Sequence, residues 1–164
     1  MKPAEASLPS ETEVLVKRSF DAPVNLVWRA YMEPDLLRRW CTGPPNWSMP
    51  VCEMDMRVGG EYQWRWRNDE DGMEFGFTGE VLEVVPHAKI VHTQAFDPGN
   101  MGVSMGGEPS IITVTFDEID GITNGGMAIQ PTLTRTFDRF ELQADYLLAD
   151  LRDDSERMPG SNLH

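Results

Sequence analysis

Two apolar stretches with helical spacing, each opened by a proline and set end to end between alternating stretches, constrain this chain more than any other feature. In Arg18-Ser-Phe-Asp-Ala-Pro-Val-Asn-Leu-Val-Trp-Arg-Ala-Tyr31, Asp21 and Ala22 supply a start. Pro23 falls near the first helical position, where its missing N–H costs little, and Val24, Val27, Trp28 and Tyr31 recur at helical spacing. A second start follows at once, with Pro34 early and Leu36, Leu37 and Trp40 on one side. Two short amphipathic helices are expected in sequence, with strands before and after them.

The strand pattern is equally direct. Val14 to Phe20 alternates weakly and is expected as a strand, whereas residues 1–12 are polar and aperiodic and read as a disordered lead-in. Cys41-Thr-Gly-Pro-Pro-Asn46 is a loop, Trp47 to Arg57 a strand, and Val58-Gly-Gly60 a turn. From Glu61 the alternation is strict. Tyr62, Trp64 and Trp66 share one face while Gln63, Arg65 and Arg67 share the other. After the loop Asn68–Gly72, a return strand places Met73, Phe75, Phe77, Gly79 and Val81 on one face. Strands are also expected over Ala88–Phe96 and Ser110–Ile119, with Asp120-Gly121 as a tight turn. A long helix is expected over Thr132–Leu151, with Leu133, Phe137, Phe140, Ala144 and Leu147 on one side, followed by a polar tail over 152–164. The order gives an α+β fold occupying 13–151, and a sheet that grips one long helix tends to enclose a cavity.

Charge narrows the partners. A net charge of −13 repels phosphate backbones and anionic headgroups, so nucleic acid is not expected as a partner. No apolar stretch is long enough to span a bilayer, and the first residues lack the apolar segment of an export signal, which places the expected location in the cytoplasm. In that compartment Cys41 and Cys52 are expected as free thiols. His87, His92 and His164 are scattered, so no metal site is expected. The glycine-rich stretch 97–109 has no lysine and no helix start after it; it reads as a mobile loop at a pocket rim rather than a phosphate cradle, and no cofactor is expected.

The phrases Asp21-Ala-Pro23, Val27-Trp-Arg-Ala30, Pro34 to Trp40 and Gly59-Gly-Glu-Tyr62 occur in one order. Phe77-Thr-Gly-Glu-Val81, Val84-Val-Pro86 and Thr113-Val-Thr-Phe116 follow. Together they resemble the START-like (SRPBCC) superfamily, and within it the branch named after the activator of the heat shock protein 90 ATPase. The resemblance implies a helix-grip fold: a curved antiparallel sheet, two short helices and one long C-terminal helix. Beyond Gly121 it extends to architecture only, because Asn124-Gly-Gly-Met-Ala-Ile-Gln-Pro131 contains paired glycines and gives no clean alternation.

The implied function is the binding of a small apolar or aromatic molecule between the sheet and the terminal helix. The candidate lining residues are Trp40, Tyr62, Trp64, Trp66, Phe75, Phe77, His92, Phe137 and Phe140. His87 reads as a solvated turn residue and Asp69, Glu70 and Asp71 as a solvated hairpin tip. Arg65 and Arg67, pointing away from the aromatic face, are the candidate partner-docking residues for a second reading, regulation of a chaperone ATPase. A third reading, cyclase- or hydrolase-like chemistry, has no nucleophile and base arrangement to carry it, and no catalytic residue is assigned.

Overall fold

The computed structural model describes residues 4–103 and 107–130. The expected helix over 132–151, with Phe137 and Phe140, and the tail beyond it lie outside the described residues. The elements are β1 (Glu5–Ser10), β2 (Glu13–Phe20), α1 (Val24–Met32), α2 (Pro34–Trp40), β3 (Trp47–Met54), β4 (Glu61–Asn68), β5 (Glu74–Val85), β6 (Lys89–Asp97), β7 (Ser110–Ile119) and β8 (Ile122–Gln130). The strands form one eight-stranded sheet of order β1-β2-β8-β7-β6-β5-β4-β3, with every neighbouring pair antiparallel. This is an α+β fold with a curved sheet.

Both helices form where the apolar spacing places them, but α1 is capped from elsewhere in the chain. Pro23 is its extended N-cap residue and supplies no side-chain bond. The first free backbone N–H, at Val24, instead donates to Glu118 Oε2 of β7 at 2.7 Å. A carboxylate there also meets the positive end of the helix. Pro34 opens α2 as expected.

Two segments differ from the sequence reading. Within the expected lead-in, Glu5–Ser10 is a strand whose residues are all exposed, paired to β2 with Ala6 opposite Val16. A backbone ladder holds it, not a buried face, so no apolar alternation announces it. The second is β8, continuous through the paired glycines. An added Cβ at Gly125 would stand 3.0 Å from Phe20 Cε2, and one at Gly126 would stand 2.9 Å from Thr115 Oγ1. The glycines make room for side chains on neighbouring strands, which hides the strand from a periodicity argument. The turn before it is as expected, with Asp120 and Gly121 both at positive φ (53° and 76°), as a two-residue hairpin requires.

The inner face, on which α1 and α2 pack, carries a core in two lobes. One joins Val14, Val16, Ile90, Ile112, Val114 and Ile129 to Val27, Trp28 and Phe116. The other joins Leu37, Trp40 and Cys41 to Met49, Cys52, Trp66 and Phe77. Tyr31 packs against both, its ring 5.2 Å from Phe116 and 5.0 Å from Trp40. Cys41 and Cys52 are buried and unbridged.

Candidate functional site

The strict alternation of β4 turns Tyr62, Trp64 and Trp66 inward, and the register sets Trp66 opposite Phe75, Trp64 opposite Phe77 and Tyr62 opposite Gly79. On the next strand Phe77 meets Phe96 and Val81 meets His92. These side chains form a continuous aromatic wall. Phe75 stacks on Trp66 and on Phe96 with centroids 5.6 and 6.2 Å apart, and Phe77 stands edge-on to Trp66 and Phe96 at 5.9 and 5.6 Å. Edge-to-face and offset geometries at these separations are the favourable ones for aromatic rings.

Gly79 decides what Tyr62 can do. A Cβ on Gly79 would fall 2.6 Å from the tyrosine Oη and far inside contact with the Thr93 carbonyl oxygen. Without it the Tyr62 ring crosses β5, and its hydroxyl donates to the Thr93 carbonyl at 2.6 Å. His92 Nδ1 lies 3.0 Å from that same carbonyl and 3.0 Å from the Tyr62 oxygen. Because the single tyrosine proton is committed to Thr93, both neighbours of Nδ1 are acceptors and Nδ1 must carry the hydrogen. The Nε2 lone pair is then on the far side of the imidazole. Burial holds the His92 pKa below its ordinary value, and the Thr93 hydrogen bond only partly opposes this, so the ring is neutral at pH 7.

The three tryptophans expected at the site divide by what their N–H groups bind. Trp40 Nε1 donates to the Ala30 carbonyl at 2.9 Å, and Trp66 Nε1 donates to the Cys41 carbonyl at 2.6 Å. Both tie the helical segment together and to the sheet. Trp64 Nε1 is buried and has no hydrogen-bond partner among the described residues. Its ring sits 4.4 Å from Tyr62 and 6.1 Å from His92. A buried donor left unpaired costs about 1–3 kcal/mol, so this one calls for a partner.

Sequence reasoning missed two neighbours of His92 on the inner face. Gln94 and Ser110 are paired in register between β6 and β7 and both are buried. The signal was available: Gln94 shares the parity of Ile90 and His92 on an alternating strand. Arg18 was also passed over. It is buried opposite Gly125, with its guanidinium 5.5 Å from the Phe20 ring centroid.

On the outer face Arg65 is engaged within the chain. Its Nη2 donates to Asp97 Oδ2 at 2.7 Å, Glu74 stands 3.7 Å away, and the side chain is half-buried. It fastens the start of the glycine-rich loop, where Asp97 also accepts from the Gly99 N–H and Asn100 bonds to Glu74 and Gly72. The Gly99 and Arg65 hydrogen bonds hold the Asp97 carboxyl below its usual range. Arg67 is exposed. His87 is not merely solvated: held at positive φ in its turn, its ring stands edge-on to Trp28 at 5.7 Å. Among the described residues no group of His, Cys, Asp and Glu converges on a metal-sized site.

Comparisons agree with this architecture. A protein of Rhodobacter sphaeroides is 22% identical with a TM-score of 0.80, over 92% of this chain and 94% of that one. Protein Ms6760 of Mycobacterium smegmatis is 19% identical with a TM-score of 0.81, over 99% and 100%. An HSP90 activator from Plasmodium falciparum is 20% identical with a TM-score of 0.54, over 73% of each chain. Curated proteins return no match. The family model described as activator of Hsp90 ATPase homolog 1-like protein matches residues 21–137, well over half of the sequence, and the chain belongs to that family.

Proposed function

We propose that this protein holds a small apolar or aromatic molecule against the inner wall of β4, β5 and β6. The observation that carries the reading is that Trp64, Phe75 and Phe96 stay partly exposed while Val81, Ile90 and Ile112, on the same face, are closed off almost completely. Large aromatic surface left unfilled beside a well-packed core is the feature that favours a ligand. Catalysis is not favoured: His92 is tied through Nδ1, and no carboxylate among the described residues hydrogen-bonds to it.

Native mass spectrometry of the purified protein tests the reading directly, since a retained molecule appears as a mass increment. Titration with N-phenyl-naphthylamine should quench tryptophan emission saturably and at unit stoichiometry, and Trp64→Ala should weaken the quenching. Absence of saturable quenching at micromolar probe counts against a binding role.

The family match favours a second reading, control of a heat-shock ATPase through the outer surface. Of the two arginines considered for it, Arg65 is engaged in ion pairs and Arg67 is exposed. Adding the protein to a purified heat-shock ATPase should leave turnover unchanged if small-molecule binding is the whole function. A reproducible severalfold, salt-sensitive increase that Arg67→Ala removes would reverse the ranking.

A further inference from the structure

The wall described above is not uniformly apolar. At its centre the Trp64 Nε1–H is buried without a partner among the described residues, and beside it His92 is locked as the Nδ1–H tautomer by Tyr62 and Thr93. The tautomer leaves Nε2 able only to accept. A donor and an acceptor therefore sit on two rings whose centroids are 6.1 Å apart, among aromatic side chains, with the side chains of Gln94 and Ser110 buried on the same face. The edge-on contact of the two rings puts the donor and the acceptor on one stretch of the wall.

We infer that the ligand class is a neutral hydroxyl-bearing aromatic, a phenol or its fused-ring equivalent. Its oxygen accepts from Trp64 Nε1–H and its proton goes to His92 Nε2, while its ring lies against Phe77 and Phe96. A hydrocarbon leaves the Trp64 donor unpaired, and an ether offers the His92 lone pair no proton. A carboxylate is a poor fit, because it places a charge among aromatic rings and offers the His92 lone pair no proton. This inference rests on the proposed binding role and refines it.

Calorimetric titration with naphthol, its methyl ether and naphthalene separates the terms, since the three share one ring system. Naphthol should bind about tenfold more tightly than naphthalene, with the ether between them, as expected when a buried donor that otherwise goes unpaired gains a partner and the imidazole gains a proton to accept. Trp64→Phe, which keeps an aromatic ring and removes the N–H, should shrink the naphthol preference to about twofold. As a check that needs no variant to fold, the indole N–H resonances of the unaltered protein can be followed by NMR. One of them should move downfield with naphthol and not with naphthalene. Equal affinities for naphthol and naphthalene, or no selective indole shift, overturn the hydroxyl inference and leave the apolar binding role standing. If none of the three binds, both fall.

Discussion

The two lobes of the inner face lie on one sheet but draw on different strands, and they differ in how they are closed. In the lobe under α1, β-branched aliphatic side chains from β2, β6, β7 and β8 interlock around Trp28 and Phe116, and Ile90 and Ile112 are 2% exposed. In the lobe beside α2, large flat rings from β4, β5 and β6 lean on one another, and several keep part of their surface open. Branched aliphatics fill irregular space well; planar rings in edge-to-face pairs leave wedges. The first lobe therefore acts as structural core. The second keeps open aromatic surface and one buried indole N–H, that of Trp64, without a partner among the described residues.

The largest test of this contrast is a pair of truncations. Trp28→Ala should lower stability by about 3–5 kcal/mol in chemical denaturation, because it empties a fully packed position. Trp64→Ala should cost clearly less, since part of that ring is already in water. Equal losses would mean that the lobes are packed alike, and a loss at Trp28 under about 1 kcal/mol would contradict its place in the core.

Next in size is Gly79→Ala. The new methyl would collide with the Thr93 carbonyl and the Tyr62 ring, so β5 or the tyrosine must shift, at about 1–3 kcal/mol. Probe binding should weaken at the same time, because Tyr62 can no longer hold His92. Unchanged binding in this variant would separate the tyrosine from the site.

A smaller effect is expected from His92 as pH falls. Its folded pKa is depressed by burial, so below the ordinary value of 6.5 the unfolded chain takes up the proton and the folded chain resists it. The stability contribution is present in full above that value and is lost as pH drops from there through the folded pKa. His92→Phe should flatten this part of the stability profile. A profile identical to that of the unaltered protein between pH 7 and 5, a range chosen to straddle about 6.5, would argue that the imidazole is not held neutral.

Smallest is Arg65→Ala on the outer face. A partly exposed ion pair contributes about 1 kcal/mol or less. Hydrogen exchange should quicken at Gly99 and Asn100, where the glycine-rich loop begins, while probe binding stays the same. A change in binding would show that the loop start communicates with the wall.

Much of this organisation can be read from the chain alone, because it rests on local periodicity. The apolar spacing of Val24, Val27, Trp28 and Tyr31 and the proline starts specify two helices, and strict alternation from Glu61 assigns Tyr62, Trp64 and Trp66 to one face. Asp120-Gly121 specifies a two-residue turn because few residue pairs tolerate two consecutive positive φ angles. Each of these properties belongs to a few neighbouring residues. Tertiary structure decided the rest, because the deciding atom comes from a distant segment. Glu118 caps α1 across the fold, and Phe20 and Thr115 explain the glycines that mask β8. Pairing to β2 holds β1 without a buried face, and Asp97 ties Arg65 to the start of the glycine-rich loop. Trp40, Trp64 and Trp66 are the same residue type in similar apolar settings, and no pattern in the sequence separates them. Only the positions of the Ala30 and Cys41 carbonyls show that two have spent their N–H groups, while the third finds no partner among the described residues.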